Sequence, residues 1–391
     1  MDYSNLSTDK LVALRDQLSN DIAKYHNFQM VRKIQLNSAY GAIGNEFFRY
    51  YNTQMAEAIT LSGQLSIQWI ANNLNEYMNK ILGSGSYDYV IASDTDSIYL
   101  KFDDLIQKIM PGETDNTKIV DYLDKIVNKA FDPYIQKQFE ILGDVMNVFE
   151  NRMVMAREVI ANKGLWTAKK RYILNVFDSE GIRYSTPKLK IMGIETTRSS
   201  TPAIIRKELK ECINIIMNKD EDTFIDYVQE FKKSFMALPS DQIAFPRSVN
   251  GLEKYTDNTT IYKKHTPIAV KGALIYNHHI KKMKLGKKYK QIQEGEKIKF
   301  VYLKTPNPFG GSYGEDHVIS FPTVIPKEFE IEIFVDMNLQ FEKTFIDPLN
   351  TILRNIGWET LTQLDKHNYP ISNYYKLARI LLLARTVPRW G

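Results

Sequence analysis

The stretch Tyr87-Asp-Tyr-Val-Ile-Ala-Ser-Asp-Thr-Asp-Ser-Ile-Tyr-Leu100 places two apolar runs on either side of an acidic tip, Asp94-Thr-Asp-Ser97. Valine, isoleucine and tyrosine favour strands, whereas aspartate and serine favour turns, so the stretch predicts a β-hairpin. Two carboxylates on a rigid tip are the oxygen donors that Mg²⁺ needs when it also binds water and phosphate. A solvated turn without a metal explains the same residues, and the stretch alone leaves both interpretations open.

The chain before the hairpin is predicted to be helical. Apolar residues recur at three- and four-residue steps over residues 8 to 28, and a second helical run follows from Met30 to Ile43, where Gly41 and Gly44 indicate its end. Residues 55 to 82 form a further long helical pattern. We expect this last helix to support a sheet.

A polar stripe lies on the second of these runs. Lys33, Asn37 and Tyr40 follow one another by four and three residues, and therefore share one face of a helix. The stripe has two interpretations. It is either a solvent-facing surface or a substrate surface, because a lysine pairs with phosphate oxygens and a tyrosine beside Gly41 lets a ring and bare backbone approach a ligand.

After the hairpin the pattern alternates between helices and strands. Helices are predicted near 103 to 110 and over 117 to 142, followed by two β-rich runs at 147 to 161 and 165 to 177. Asn162-Lys-Gly164 separates these two runs and predicts a hairpin turn there.

The second β-rich run carries Trp166-Thr-Ala-Lys-Lys-Arg-Tyr172, in which Lys169, Lys170 and Arg171 stand beside two aromatic residues. Such interleaving suits a nucleic-acid backbone, because the cations meet phosphates. A solvated strand edge, on which lysines prevent aggregation, is the alternative.

The remainder offers weaker signals. Asp178-Ser-Glu180 precedes a glycine and is interpreted as a hairpin tip. Helices are predicted at 201 to 218 and 221 to 237. Six lysines fall between Lys281 and Lys290, which indicates a solvated face or a contact with duplex phosphates. The pair His278-His279 is interpreted as surface, and no histidine has metal-ligand spacing.

Composition limits the class of protein. With 391 residues and 43% hydrophobic residues, the chain can form two or three globular domains. The net charge of +5 is a mild excess that proves no nucleic-acid partner.

One cysteine, Cys212, excludes an intrachain disulfide framework and fits a reducing compartment. No apolar run reaches about 18 residues, so we expect a soluble cytoplasmic protein, in the host cytoplasm if it is viral. P-loop, dinucleotide-loop and nucleophile-elbow motifs are absent.

The order of three motifs is more specific than any one of them. Lys33-Ile-Gln-Leu-Asn-Ser-Ala-Tyr-Gly41 comes first, the Asp94-Thr-Asp-Ser97 tip second and Lys169-Lys-Arg-Tyr172 third, before Pro187-Lys-Leu-Lys-Ile-Met-Gly193. This order resembles the family B DNA polymerases, and among them the replicative polymerases of large tailed bacteriophages. The resemblance runs from about residue 5 to about residue 350.

The resemblance implies a fold and roles for single residues. It implies an α+β protein with the end of the fingers at 1–45, a palm of antiparallel sheet backed by helices at 46–193, and a mostly helical thumb at 194–391. The implied catalytic residues are Asp96, Asp94 and Lys33, and the implied nucleotide-binding residues are Lys33, Asn37, Tyr40 and Gly41. The implied DNA-binding residues are Lys169, Lys170, Arg171, Tyr172, Lys188 and Lys190. The implied metal ligands are Asp96, Asp94 and, because relatives carry a further acid nearby, Glu158.

One departure changes the functional expectation. The family uses a second metal-bridging aspartate from an upstream Asp-x-x-Ser-Leu-Tyr-Pro motif, and this sequence contains no such stretch and no exonuclease domain. Two-metal phosphoryl transfer needs both carboxylates to hold cations about 4 Å apart. We therefore expect the C-terminal part of a polymerase, either a truncated form or the second subunit of a split enzyme. We favour the split enzyme, inactive alone, with two Mg²⁺ ions shared with an N-terminal chain.

The expected partners are primer-template DNA, deoxynucleoside triphosphates and that N-terminal polymerase and exonuclease chain. The tail Leu381–Gly391 does not resemble the peptide that binds a sliding clamp, so clamp binding lacks support. Two other classes remain open. One is a non-catalytic duplex-binding or processivity module with a polymerase-like fold, and the other is a protein-primed or virus-assembly factor whose basic region binds a protein.

Overall fold

A computed structural model describes residues 6–310 and 317–361, and the backbone of 380–388. The C-terminal residues 389–391, part of the tail in which no clamp peptide was found, lie outside the described residues. The chain divides into two compact units. The first contains residues 1–98, 132–155 and 385–391, and the second contains 99–131 and 156–384. The expected domain boundaries after residues 45 and 193 remain predictions.

Two long helices form most of the first unit. Helix α1 covers Thr8–Ile43 without the interruption expected near residue 29. Of the two glycines predicted to mark its end, Gly41 lies inside the helix and Gly44 is its C-cap. No residue of α1 is buried. Helix α2 covers Thr53–Leu82, close to the predicted 55 to 82, and buries Ile70, Leu74 and Met78 in its second half.

That second half packs on a third helix of the same unit, α5, which covers Asp132–Val145. The rings of Tyr77 and Tyr134 are stacked with centroids 4.2 Å apart, and Trp69 Nε1 donates to the carbonyl oxygen of Gln138 at 3.1 Å. The acidic hairpin consists of β1, Val90–Asp94, and β2, Ser97–Lys101. The predicted hairpin is therefore confirmed.

In the second unit, helices α3, Asp103–Ile109, and α4, Asn116–Ile126, follow the hairpin. The single helix predicted over 117 to 142 is instead α4 and α5, joined by one π-helical turn at Val127–Phe131. An antiparallel meander comes next, made of β3, Met153–Ala168, β4, Arg171–Ser179, and β5, Ile182–Met192.

The predicted hairpin turn at Asn162-Lys-Gly164 is wrong, because β3 continues through these residues and turns at Lys169-Lys170 instead. A Cβ on Gly164 would lie 2.8 Å from Leu174 and 2.8 Å from Trp166, so this glycine marks a close approach inside the sheet. The register of β3 on β4 shifts near Ala161 and Lys163, which indicates a bulge.

Helices α6, Ala203–Asn218, and α7, Glu221–Phe235, confirm the prediction for 201 to 237. Their apolar faces bury one cluster together with α13, Asp347–Ile356. Cys212 is fully buried in this cluster, and burial raises the pKa of its thiol above the usual range.

A second apolar cluster lies between α10, Ile268–Lys282, and a three-stranded antiparallel sheet. The sheet contains β6, Phe245–Ser248, β9, Lys297–Tyr302, and β10, Val318–Phe321. The surface prediction is wrong for His279, which is buried because its ring packs against Phe309 and Phe329 from later segments of the chain. Burial lowers the pKa of His279 to about 4.

The other elements are short: α8 Ser240–Ile243, α9 Leu252–Tyr255, β7 Thr256–Asp257, β8 Ile261–Tyr262, α11 Ile331–Phe334, α12 Met337–Phe341 and β11 Ile380–Pro388. Together with the longer helices and antiparallel strands they confirm the α+β class. Among the described residues, none of the helices is both long and apolar enough to span a bilayer.

Candidate active site

The acidic tip is a tight connection between two strands. Strand β1 ends at Asp94 and β2 begins at Ser97. The amide of Asp96 donates to the carbonyl oxygen of Asp94 at 2.7 Å, and Ser97 Oγ donates to the same oxygen at 3.1 Å. Thr95 has a φ of 56°, a left-handed conformation that is costly for a β-branched residue. The turn therefore holds two half-exposed carboxylates, separated by one residue, at the end of two rigid strands.

Helix α2 holds the start of this hairpin through two asparagines that sequence reasoning missed. Asn75 Oδ1 accepts from the amides of Tyr89 and Val90 at 2.8 and 2.9 Å. One turn further along α2, Asn79 accepts from the amide of Tyr87 at 2.9 Å and donates to its carbonyl oxygen at 2.7 Å. The four-residue spacing of the two asparagines is the signal that was available in the sequence.

Asp94 and Asp96 are the candidate metal ligands at the tip. Within the described residues, no group of three or more histidine, cysteine, aspartate or glutamate residues comes together. Asp94 and Asp96 supply carboxylate oxygens of the kind that Mg²⁺ prefers, and Mg²⁺ commonly takes one or two carboxylates, with water and substrate phosphates filling its other positions. The pair therefore fits part of a magnesium site.

The residues expected to bind nucleotide lie on the exposed helix α1. Lys33, Asn37, Tyr40 and Gly41 all face solvent. A Cβ on Gly41 would meet nothing within 4 Å, so the space beside this glycine is open. These four residues and the acidic tip belong to the first unit.

The expected DNA-binding residues and Glu158 belong to the second unit. Lys169 and Lys170 form the turn between β3 and β4, and both are exposed. Lys170 is in the left-handed region with φ 62°. A Cβ on Gly193, which has φ 68°, would lie 2.2 Å from the carbonyl oxygen of Lys170. Only glycine therefore allows the end of β5 to pack beneath this turn.

Three of the other candidates are engaged within the protein. Lys190 Nζ donates to Glu158 Oε1 at 2.6 Å, so a residue expected to bind DNA neutralises one expected to bind metal. Arg171 Nη2 donates to both carboxylate oxygens of Glu195, at 2.9 and 2.7 Å.

Tyr172 is buried, with its ring centroid 5.4 Å from Tyr99 and 6.0 Å from Trp166. Lys188 is exposed, with Nζ 4.0 Å from the ring centroid of Tyr184. The roles of these residues stay predictions.

A buried ion network connects the strands of the meander near the β4–β5 turn. Asp178 is fully buried, and its two carboxylate oxygens accept from Arg157 and Arg183. Both arginines also pair with Asp124 on α4, at 2.8 and 3.2 Å. Asp178 Oδ1 accepts from the amide of Gly181 as well, at 3.1 Å. This segment is the tip of the β4–β5 hairpin, as predicted for Asp178-Ser-Glu180.

The class of the chain follows from its similarity to known proteins. The family model for DNA polymerase family B matches residues 10–356, and the chain belongs to that family. The resemblance seen in the three ordered motifs is thereby confirmed.

Particular relatives come from phages and from more distant sources. The chain is 35% identical over 371 residues to the DNA-directed DNA polymerase of Enterobacteria phage T4, covering 92% of this chain and 40% of that protein. It is 40% identical over 352 residues to the DNA-directed DNA polymerase of Escherichia phage RB69, covering 86% of this chain and 37% of that protein. The DNA polymerase delta catalytic subunit of Candida albicans is 22% identical over 371 residues, covering 91% and 30%. The chain thus spans about two fifths of the length of the phage relatives it matches.

Proposed function

We propose that this chain supplies the C-terminal part of a DNA-directed DNA polymerase that extends a primer by template-directed nucleotidyl transfer. The observation that carries the proposal is the Asp94–Asp96 tip, a carboxylate pair held by two strands and by α2, in a chain of DNA polymerase family B. The phage relatives are named DNA-directed DNA polymerases, which supports the same activity here.

In this mechanism the primer 3′-oxygen forms a bond to the α-phosphorus of the nucleotide, while the bond from that phosphorus to the β-phosphate oxygen breaks and pyrophosphate leaves. Asp96, with Asp94 beside it, would hold Mg²⁺, which supplies positive charge for the transferring group when it is bound. Lys33 stabilises negative charge on the triphosphate. The proton of the 3′-hydroxyl goes to solvent.

The other candidate residues position the reactants. Asn37 contacts the incoming nucleotide, and Tyr40 and Gly41 pack against the new base pair, because bare backbone at a glycine admits close contact. Lys169 and Lys170 meet phosphates near the primer end. Lys188 has its charge exposed, whereas Arg171 and Lys190 already have carboxylate partners, so we assign Lys188 a direct contact with the duplex.

We propose further that an N-terminal chain, carrying the exonuclease and the upstream aspartate, completes the site. Two features of the first unit support the binding of a partner chain. Its described carboxylates provide only a pair at the tip. Large apolar side chains along α1 are also exposed to solvent, among them Ile22 at 70% exposure and Phe28 at 58%. Burying such residues against a second helix is favourable by about 1.5–3 kcal/mol for each side chain.

The test is Asp96→Asn in an enzyme completed with the N-terminal segment of a phage relative. The variant should lose several kcal/mol of charge stabilisation in the transition state. We therefore expect its rate of primer extension to fall by on the order of 10³-fold or more. Duplex affinity should stay unchanged.

Asp104→Asn is the matched control, because Asp104 is an exposed carboxylate on α3 and not part of the tip, and the variant should extend primers normally. Extension that survives Asp96→Asn would contradict the metal role. Duplex binding without any extension by the completed enzyme would favour the non-catalytic module.

A further inference from the structure

Two side chains of α2, those of Asn75 and Asn79, form what we call the asparagine pair. Both are half-buried, and both bind the segment of residues 84–90 that leads into β1. None of the sequence motifs assigns a role to either residue. Their hydrogen bonds nevertheless reach the chain a few residues before the acidic tip.

Asn75 binds the backbone where β1 begins. Its Oδ1 accepts from the amides of Tyr89 and Val90 at 2.8 and 2.9 Å, and its Nδ2 donates to Asp88 Oδ1 at 2.7 Å. A primary amide offers an acceptor and a donor on one planar group, which neither an aliphatic side chain nor a carboxylate does. The start of β1 is therefore attached to α2 through both polar atoms of one side chain.

Asn79 holds the loop before β1. Its Oδ1 accepts from the amide of Tyr87 at 2.9 Å and from Ser84 Oγ at 2.8 Å, and its Nδ2 donates to the carbonyl oxygen of Tyr87 at 2.7 Å. The buried Tyr89 strengthens the attachment, because its hydroxyl donates to Ser84 Oγ at 2.8 Å. Since residues four apart share one face of a helix, the loop and the start of the strand are attached to the same face of α2.

The direction of β1 depends strongly on this attachment. In the order of the described strands, β1 lies at an edge, with β2 as its neighbour. Strand β1 runs from Val90 to Asp94, so about 13 Å separates its attached end from the tip at about 3.3 Å per residue. Over that length, a tilt of about 5° at the attached end moves the tip carboxylates by about 1 Å.

We infer that the asparagine pair positions the two tip carboxylates for metal binding and nucleotidyl transfer, by fixing the direction of β1. The inference rests on the proposed function of Asp94 and Asp96. A displacement of about 1 Å in a catalytic site costs on the order of 10²-fold in rate. Because Mg²⁺ demands near-ideal octahedral geometry, the same displacement weakens metal binding.

The first test compares Asn75→Ala with the wild type in the enzyme completed with the N-terminal segment of a phage relative. The variant should lower the maximal rate of primer extension by about 10²-fold and raise the Mg²⁺ concentration for half-maximal extension about fivefold. Duplex affinity should stay unchanged, because the expected DNA-binding residues are not altered. Circular dichroism and thermal unfolding establish that each variant is folded.

A titration with Mn²⁺ alone, followed by electron paramagnetic resonance, reads the tip without turnover. Asn75→Ala should weaken Mn²⁺ binding by the completed enzyme about fivefold, in the same direction as Asp96→Asn. A loss of stability that leaves the folded hairpin in place would not change this affinity. The titration therefore separates positioning from a merely structural role.

Asn73→Ala is the matched control on the same helix. Asn73 Nδ2 donates to the carbonyl oxygen of Trp69 at 2.9 Å, so the change removes a hydrogen bond within α2 and leaves the asparagine pair intact. This variant should keep the wild-type extension rate, Mg²⁺ requirement and Mn²⁺ affinity. Equal losses in Asn73→Ala and Asn75→Ala would overturn the inference.

An exchange of two side chains supplies a rescue. Asn75→Asp alone places a second carboxylate against Asp88 and should reduce the rate and the Mn²⁺ affinity. Combining it with Asp88→Asn restores one donor and one acceptor in exchanged places, and should recover most of both losses. If Asn75→Ala does not fold, these two variants carry the test.

A folded Asn75→Ala or Asn75→Asp enzyme with the wild-type rate and Mn²⁺ affinity would overturn the inference. The outcome is separate from the fate of the proposed function. A completed wild-type enzyme that never extends a primer removes the polymerase, and the Mn²⁺ titration then still decides whether the asparagine pair positions the carboxylates. Absence of Mn²⁺ binding by the wild type would contradict both.

Discussion

Helix α1 and the β3–β5 meander differ in whether their side chains are buried and paired within the chain. The meander buries Ile173 and Leu174 and compensates its buried Asp178 with two arginines. Helix α1 runs for 36 residues without burying one of them. The meander is thus stabilised by contacts within its own unit, whereas the side chains of α1 are exposed and form the surface that we propose binds an N-terminal chain. Mutations in the two regions should therefore affect different measurements.

The largest expected effect on stability comes from Asp178→Asn in the meander. The change leaves Arg157 and Arg183 with less negative charge in a buried network, so we expect the free energy of unfolding to fall by about 3 kcal/mol. Urea unfolding measures it. Asp121→Asn removes only a partly exposed pair with Arg183, at 3.0 Å, and should cost less than about 1 kcal/mol. Equal losses in the two variants would show that the buried network is not what stabilises the meander.

An intermediate effect is expected for Gly193→Ala. The new Cβ would overlap the carbonyl oxygen of Lys170 and would also occupy a positive φ. We expect a loss of about 1–3 kcal/mol in stability, and weaker duplex binding because the Lys169-Lys170 turn shifts.

Gly181→Ala separates backbone strain from overlap, since Gly181 has φ 87° and its Cβ would meet nothing within 4 Å. This control should lose stability without losing duplex affinity. Normal duplex affinity in Gly193→Ala would mean that the turn is not positioned by this contact.

The smallest effect on stability is expected in α1. Ile22→Gln should change the free energy of unfolding by no more than about 0.5 kcal/mol, because Ile22 is 70% exposed. The same change should weaken association with the N-terminal segment by about tenfold or more, since burial of an isoleucine contributes about 1.5–3 kcal/mol.

Ile70→Gln is the matched comparison in the first unit. Ile70 is fully buried on α2, so placing an amide there should cost about 1–3 kcal/mol of stability. A strongly destabilised Ile22→Gln would show that α1 is packed within the chain rather than against a partner.

Local signals in the sequence predicted the parts of the fold that depend on local physics. The acidic tip, α2, α6 and α7 follow from turn residues and from apolar periodicity, which act over a few residues. The turn at Asn162-Lys-Gly164 could not be resolved in this way. A glycine fits both a turn and a close approach, and only the positions of Leu174 and Trp166 in the folded sheet decide between them.

Contacts between segments that are distant in sequence could not be predicted from local signals either. The pairing of Lys190 with Glu158 depends on strand register, and it joins two residues to which the sequence assigned separate roles. The burial of His279 depends on Phe309 and Phe329, which are distant in sequence. A pocket in the second unit brings Arg171, which the sequence singled out with its lysine neighbours, together with Arg198 and Arg247, whose own segments carry no basic run.

Primer extension by the purified chain, with and without the N-terminal segment, tests the central claim most directly. The claim is that this chain holds one part of a polymerase site, with Asp94 and Asp96 at its tip. We expect no measurable extension by the chain alone and template-directed extension after the N-terminal segment is added. Robust extension by the chain alone would contradict it.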